Sequence, residues 1–365
     1  MPDPVPTIER PRLLSLFHEL VDIYSPSNKE EEIVDFLSAY LKHHGLPVRS
    51  SPVDDTRHNL TVTTGPNPQT LFLGHVDTVP AFDIEDYRFR QHDGLCYGLG
   101  TADMKGGCAA LIEGFINAHQ AGRLRDDVML ALVVGEEETG DGTKALLERH
   151  SFQDAIVAEP TNLRPCLHHY GYVEIILRTF GARRHAAVSD RQSHAIRTLL
   201  RLLLQIEDRI ELNEPKTVLN IRDLHSSESG FAVPDRCVAS LDLHIPSDRN
   251  AKAYAQDLSA FVLERMQTSG AGRYEIEFPT LADGFAIDPE AALAQRVRTA
   301  LAVQGLPNAP ESFKSHSDAN LLMDTGCHPV IIGPGQLAKA HAIDESIDFD
   351  QVAWAAQLFT RLLLD

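Results

Sequence analysis

The chain has 365 residues, 43% hydrophobic and 23% charged, which is ordinary for a folded globular protein and too long for one simple core. Its 33 Lys and Arg against 52 Asp and Glu give a formal net charge of -19, which argues against nucleic acid or an anionic membrane surface as partner, since both select basic faces. No apolar run approaches the roughly 20 residues of a membrane span and no basic start leads into an apolar segment, so no membrane association and a cytoplasmic location are expected.

Leu13, Leu14, Phe17, Leu20 and Val21 recur at helical spacing over 7–23. Ser27 and Glu30 then spell a capping box for a second helix that buries Ile33, Phe36, Leu37, Tyr40 and Leu41 and stops at Gly45. Short strands follow at 47–53 and 59–64. A third, the apolar run Leu71-Phe72-Leu73, ends in Gly74-His75-Val76-Asp77-Thr78-Val79-Pro80. A strand that delivers a His and then an Asp to its C-terminal tip places a metal ligand beside the carboxylate that could orient it. One such His alone is more often a hydrogen-bonded surface or core residue, so His75 draws its weight from the acids farther along the chain.

Residues 81–99 read as loops and a hairpin. The small residues of 98–107 lead into an apolar helix over 108–118 and let Asp103 approach another group closely, although an N-cap role accounts for Asp103 equally well. A buried-type strand at 128–134 runs straight into Glu136-Glu137-Glu138, and adjacent acids there are costly unless solvated or paired with cations. A helix at 143–150 and a strand at 154–158 lead to Glu159. Successive strands thus end in candidate ligands with helices between them. That is the pattern of an α/β domain whose mostly parallel sheet, flanked by helices, carries its site at the strands' carboxyl ends.

From His168 the pattern changes. Strands at 172–180, 217–225, 236–245 and 274–278 and helices at 193–212 and 251–268 follow in β-α-β-β-α-β order, a ferredoxin-like α+β unit. The expected division is therefore 1–167 with 281–365 as one domain and 168–280 as an insertion. The chain closes with a helix at 289–303, a strand at 329–332, Gly333-Pro334-Gly335, His341 and a helix at 351–364. Cys96, Cys108, Cys166, Cys237 and Cys327 are odd in number and form no CxxC pair, so buried free thiols are expected. Any metal then rests on His and carboxylate, and His75, Asp103, Glu137, Glu159 and His341 are donors of the kind zinc accepts.

The ordered segments GHVDTVP at 74–80, YGLGTADMKGG at 97–107, the acidic run at Glu136, AEPT at 158–161 and GPG with AHAIDE at 333–345 resemble the M20 metallopeptidase family. That family includes acetylornithine deacetylases, succinyl-diaminopimelate desuccinylases and glutamate-type carboxypeptidases, and the resemblance covers nearly the whole chain. It implies a dinuclear-metal peptidase domain holding two divalent ions, Zn2+ first with Co2+ or Mn2+ as alternatives, and an inserted lid or dimerisation domain. On the same resemblance Asp103 bridges the ions, His75 and Glu159 complete one position, and Glu137 and His341 complete the other. Asp77 would orient His75, and Glu136 would be the general base acting on water. The acidic triplet leaves a register open, because Glu137 and Glu138 are the alternative base and ligand.

Phe180-Gly181-Ala182-Arg183-Arg184-His185-Ala186-Ala187 resembles the segment through which dimeric relatives send a His into the partner's site. The resemblance thus implies a homodimer in which His185 stabilises an oxyanion in trans, against the plainer reading of a solvated His beside two arginines. Two positions depart from the family pattern: Phe231 stands where many relatives have Asn, and His244 where they have Arg. His cannot reproduce the bidentate fork of Arg on a carboxylate, so a less acidic substrate is expected. His316, in a segment that aligns with a substrate-cleft loop, is a third candidate contact. The function implied is hydrolysis of the amide bond of a small N-acyl amino acid, as in acetylornithine deacetylases, with a dipeptidase or carboxypeptidase as alternative. A catalytically silent amino-acid-binding homologue is the reading from another class, and the complete set of candidate ligands and base stands against it.

Overall fold

The computed structural model describes residues 4–81, 87–189, 194–270 and 272–364; residues 82–86 and 193, which fall in expected elements, lie outside them. Two compact units emerge. The first comprises 1–167, 287–313 and 317–365, and the second 168–286 with 314–316.

In the first unit the strand Thr70–His75 runs parallel between Val128–Val133 and Asp154–Val157, and His328–Ile331 continues the parallel set beyond Asp154–Val157. Thr70–His75 and Val128–Val133 are buried at every position, as unbroken apolar strands are when both sheet faces are covered. The flanks are antiparallel. His58–Thr63 pairs with Val128–Val133, Val48–Pro52 pairs with His58–Thr63, and Cys166 pairs with Ile331 at the other side. The helix Gly106–Gln120 is buried at every residue from Gly106 to Ala118. It lies against the helix Phe349–Leu363, so closely that a Cβ on Gly114 would meet Phe359 Cβ at 3.1 Å. The Arg12 guanidinium, on the helix Arg10–Asp22, grips the wholly buried Glu113 carboxylate with bonds of 2.9 and 2.8 Å.

Two local expectations are replaced by other bonding. The second helix is Glu31–His43, and no side chain caps its start. Ser27 instead donates to the buried Asp77 carboxylate at 2.7 Å, because a charge out of water needs donors more than an exposed helix end does. Asp103 is no N-cap either; it holds φ -121° and ψ 98° in the turn Thr101–Lys105 that precedes the helix.

The second unit is an antiparallel sheet in the spatial order Val218–Ser226, Arg236–Ile245, Gly171–Phe180, Tyr274–Glu277, the ferredoxin-like arrangement. Residues of Gly171–Phe180 alternate strictly between buried and half-buried, and the buried set packs with the helices Ala195–Asn213 and Ala251–Ser269 around Val173, Ile175, Leu177, Leu202 and Leu258. Among the described residues no helix is long and apolar enough to cross a membrane.

Candidate active site

Four strands of the first unit lead to the cluster. His75 is the last residue of its strand, Glu159 follows Asp154–Val157, and His341 stands at φ +57° beyond His328–Ile331. Glu136 and Glu137 follow Val128–Val133 after Gly135, which must be Gly: its φ is +73°, and a Cβ there would sit 2.1 Å from Asp141 Oδ1.

Asp103 lies between the two histidines. Its Oδ1 is 3.3 Å from His75 Nε2 and its Oδ2 is 3.5 Å from His341 Nε2. His75 Nε2 is also 3.9 Å from Glu159 and 3.8 Å from Glu136, while His341 Nε2 reaches Glu137 at 3.0 Å. Donor atoms of His75, Asp103 and Glu159 lie within 4.8 Å of one another, and so do those of Asp103, Glu137 and His341, so the two triads share Asp103.

The electrostatics are those of crowded acid. Burial lifts the Glu136 and Glu159 carboxyls well above the usual range, with Glu159 adding to it at the first and Asp103 at the second. Burial also raises Glu137 against the hydrogen bond from His341. Asp103 stays low although buried, because His75 and then His341 stabilise its charge. His75 is raised well above its usual value although burial opposes this, owing to Asp103 and Asp77; His341 is raised to about 9, first by its hydrogen bond to Glu137. Five carboxylates, those of Asp77, Asp103, Glu136, Glu137 and Glu159, thus face two imidazoles, and the buried His75 Nε2 has no well-aligned hydrogen-bond partner. An orphaned imidazole nitrogen amid excess acid, with N and O donors in both triads, fits divalent cation binding.

Asp77 meets both the His75 ring and the backbone of the acidic run. Its backbone oxygen is 3.0 Å from His75 Nδ1 and its carboxylate 3.5 Å, and that carboxylate accepts the N–H of Glu136 at 3.2 Å and of Glu137 at 3.1 Å. Burial would raise its pKa, but His75, Ser27 and Glu137 hold it low. The exposed Glu138 turns away and accepts from Asn28 at 2.8 Å, leaving Glu136 and Glu137 as the acids in the cluster.

Sequence reasoning passes over three acceptors and donors here. Ser27 carries the pattern of a cap. Asp318 is buried, takes a 2.6 Å bond from Thr143 and is pushed up to about 6 by burial, and its charge helps raise Glu136. Glu345 accepts three backbone N–H groups of the Asp103 turn. The last two stand inside Lys314-Ser315-His316-Ser317-Asp318 and AHAIDE, segments in which the histidines are the more conspicuous residues.

The remaining candidates belong to the second unit. His244 and His316 flank the Tyr172 ring at 5.4 and 5.7 Å, and the Tyr172 hydroxyl donates to Asp242 at 2.8 Å. Burial lowers the His244 pKa, against the pull of Asp242. Phe231 is 96% exposed and neighbours His185 instead: its carbonyl accepts from Ala186 at 3.3 Å. His185 is exposed, and its Nδ1 accepts from the Ala187 N–H at 3.2 Å.

Comparison with known proteins agrees with this arrangement. A profile of Peptidase family M20/M25/M40 matches residues 71–365. Acetylornithine deacetylase of Photorhabdus laumondii is 27% identical, with 98% of this chain and 97% of the relative covered; that of Klebsiella pneumoniae is 25% identical, with 97% of each covered. A crystal structure of a tripeptidase from Staphylococcus aureus shares the fold with a TM-score of 0.82 at 21% identity, over 98% of each chain. With the profile spanning most of its length and including every cluster residue from His75 to His341, this chain is a hydrolase of the M20/M25/M40 peptidase family.

Proposed function

We propose that the chain hydrolyses the amide bond of a small N-acyl amino acid, in the manner of an acetylornithine deacetylase. The observation that carries this reading is the carboxylate of Asp103 facing two histidines, each completed by a further acid, with Glu136 beside them and left over. The acetylornithine deacetylases similar to this chain supply the substrate class.

Two divalent cations, zinc first and cobalt or manganese as alternatives, would be held by His75, Asp103 and Glu159 and by Asp103, Glu137 and His341. When bound they supply Lewis acidity toward water and an amide carbonyl. Asp77 holds the His75 ring and the Glu136-Glu137 backbone in register. Glu136 takes a proton from the attacking water and delivers it to the leaving amine nitrogen, and burial raises this carboxyl well above the usual range, which makes it a stronger base. Its neighbours Glu159 and Asp318 favour the protonated form, which strengthens the carboxylate as acceptor of the water proton.

The reading extends to a homodimer in which His185 of one subunit donates to the oxyanion in the site of the other. Its support is the edge strand Val218–Ser226, which exposes Val218, Ile221 and Leu224, together with exposed Leu200 and Leu204 on the helix Ala195–Asn213. Beside Tyr172, His244 stands where relatives carry Arg without offering its fork, and with His316 as a further contact it would favour a substrate with less negative charge. Five free, buried cysteines suit a reducing cytoplasm.

The test is metal analysis with steady-state kinetics on acetylornithine, acetylcitrulline, succinyl-diaminopimelate and a dipeptide panel. About two ions per chain and turnover of an acyl amino acid are expected. Turnover of dipeptides alone would move the chain to the dipeptidases, and a chain that binds no cation and hydrolyses neither class would overturn the proposal.

A further inference from the structure

Glu345 has a carboxylate that touches none of the candidate ligand side chains, yet it organises the turn that carries the shared one. It is buried, with 3% of its surface exposed. One oxygen accepts the Gly100 N–H at 2.9 Å; the other accepts those of Ala102 at 2.8 Å and Asp103 at 3.1 Å. The Glu345 carbonyl also accepts the Gly98 N–H at 3.3 Å, and its own N–H donates to Ala342 at 3.1 Å, next to His341. Gly100, at φ +79°, lets the backbone curl so that these N–H groups converge, and a Cβ there would meet Thr78 at 2.7 Å. All three donors are buried, so no water replaces a missing acceptor. A carboxyl group cradled by successive backbone N–H groups is a rigid joint, and here that group is part of the protein.

We propose that Glu345 is a positioning residue that locks the Asp103 turn to the His341 loop, and thereby sets the cation affinity of the position formed by Asp103, Glu137 and His341. This rests on the dinuclear reading above. Glu345 lies on the same loop as His341, so the joint fixes Asp103 relative to His341 more directly than relative to His75 or Glu159.

The test uses Glu345→Gln, which keeps shape and one acceptor but sets a donor against a donor, and Glu345→Asp, which keeps both acceptors on a shorter arm. Cation-free protein is titrated with Co2+, following the visible spectrum and the binding isotherm, and hydrogen exchange is read over the 98–104 segment. Glu113→Ala serves as a destabilised control with the joint intact. Expected in Glu345→Gln are faster exchange in that segment, an altered Co2+ spectrum and a loss of about tenfold or more in affinity at one of the two positions, with a smaller loss in Glu345→Asp. A lower melting temperature with wild-type Co2+ affinity and spectrum, or equal losses at both positions, would overturn the proposal. If the wild type itself binds no Co2+, the dinuclear reading fails and this inference falls with it. Two wild-type binding steps that Glu345→Gln leaves untouched would refute the joint alone.

Discussion

Gly107 is the position where a single methyl group separates stability from activity. A Cβ there would lie 2.2 Å from the Ala158 carbonyl oxygen, where ordinary contact begins at 3.4 Å, so Gly107→Ala must open that interface by about 1.2 Å. The obstacle is backbone and cannot swing aside, and the same oxygen is hemmed by Gly333, whose Cβ would lie 2.3 Å away. In exchange the helix gains at most about 1 kcal/mol of propensity, less near its first turn, against roughly 1–3 kcal/mol of overpacking. The net loss of about 1 kcal/mol lowers the melting temperature by only a few degrees. The strain, however, falls between the turn bearing Asp103 and the residue before Glu159. A misplacement of about 1 Å there should reduce kcat/KM on the hydrolysed amide by about 100-fold. Gly114→Ala, on the same helix, meets Phe359 Cβ at 3.1 Å and Thr360 N at 3.2 Å and should cost stability with wild-type turnover. Calorimetry and steady-state kinetics on both variants decide the matter. Wild-type activity in Gly107→Ala, or an equal loss in Gly114→Ala, would refute the reasoning.

Glu136→Gln should lower kcat by about 10²–10⁴ with cation content unchanged, while Glu138→Gln stays near wild type; the opposite ranking would move the base along the triplet. In chelator, His341 has its pKa raised from 6.5 to about 9, so its contribution to stability is fully present below pH 6.5 and is lost as pH rises through about 9. Urea melts of wild type and His341→Asn should therefore converge with rising pH, and divergence would contradict the assigned contacts. Glu113→Ala strands the Arg12 guanidinium in a partly buried site and should cost about 3 kcal/mol in denaturant unfolding; a loss below about 1 kcal/mol would show the pair to be dispensable.

Strands that bury both faces were legible as unbroken apolar runs, and the His and acids at their ends became legible only together, because several successive strands end in them. The triplet's register was not. All three residues are Glu, and only the turn at Gly135 decides that Glu138 faces Asn28. Ser27 and Glu30 read as a capping box because local pattern cannot see that Asp77, distant in sequence, claims the Ser27 hydroxyl. The short strands Cys166–His169, Glu311–Phe313 and Ser346–Asp348 carry too few residues to show a period. The meeting of His244 with His316 across Tyr172 is likewise a product of tertiary packing, and no spacing announces it.

The placement of Asp103, one oxygen toward each histidine, has a thermodynamic consequence. If one ion is held beside His75 and another beside His341, both would draw on the single Asp103 carboxylate. The two binding free energies would then not be independent, and each ion would change the other's affinity by the same factor. Loading is then a property of the pair. The abundance of half-loaded protein during a titration reads out the sign: scarce if fixing Asp103 dominates, prevalent if repulsion between the ions does.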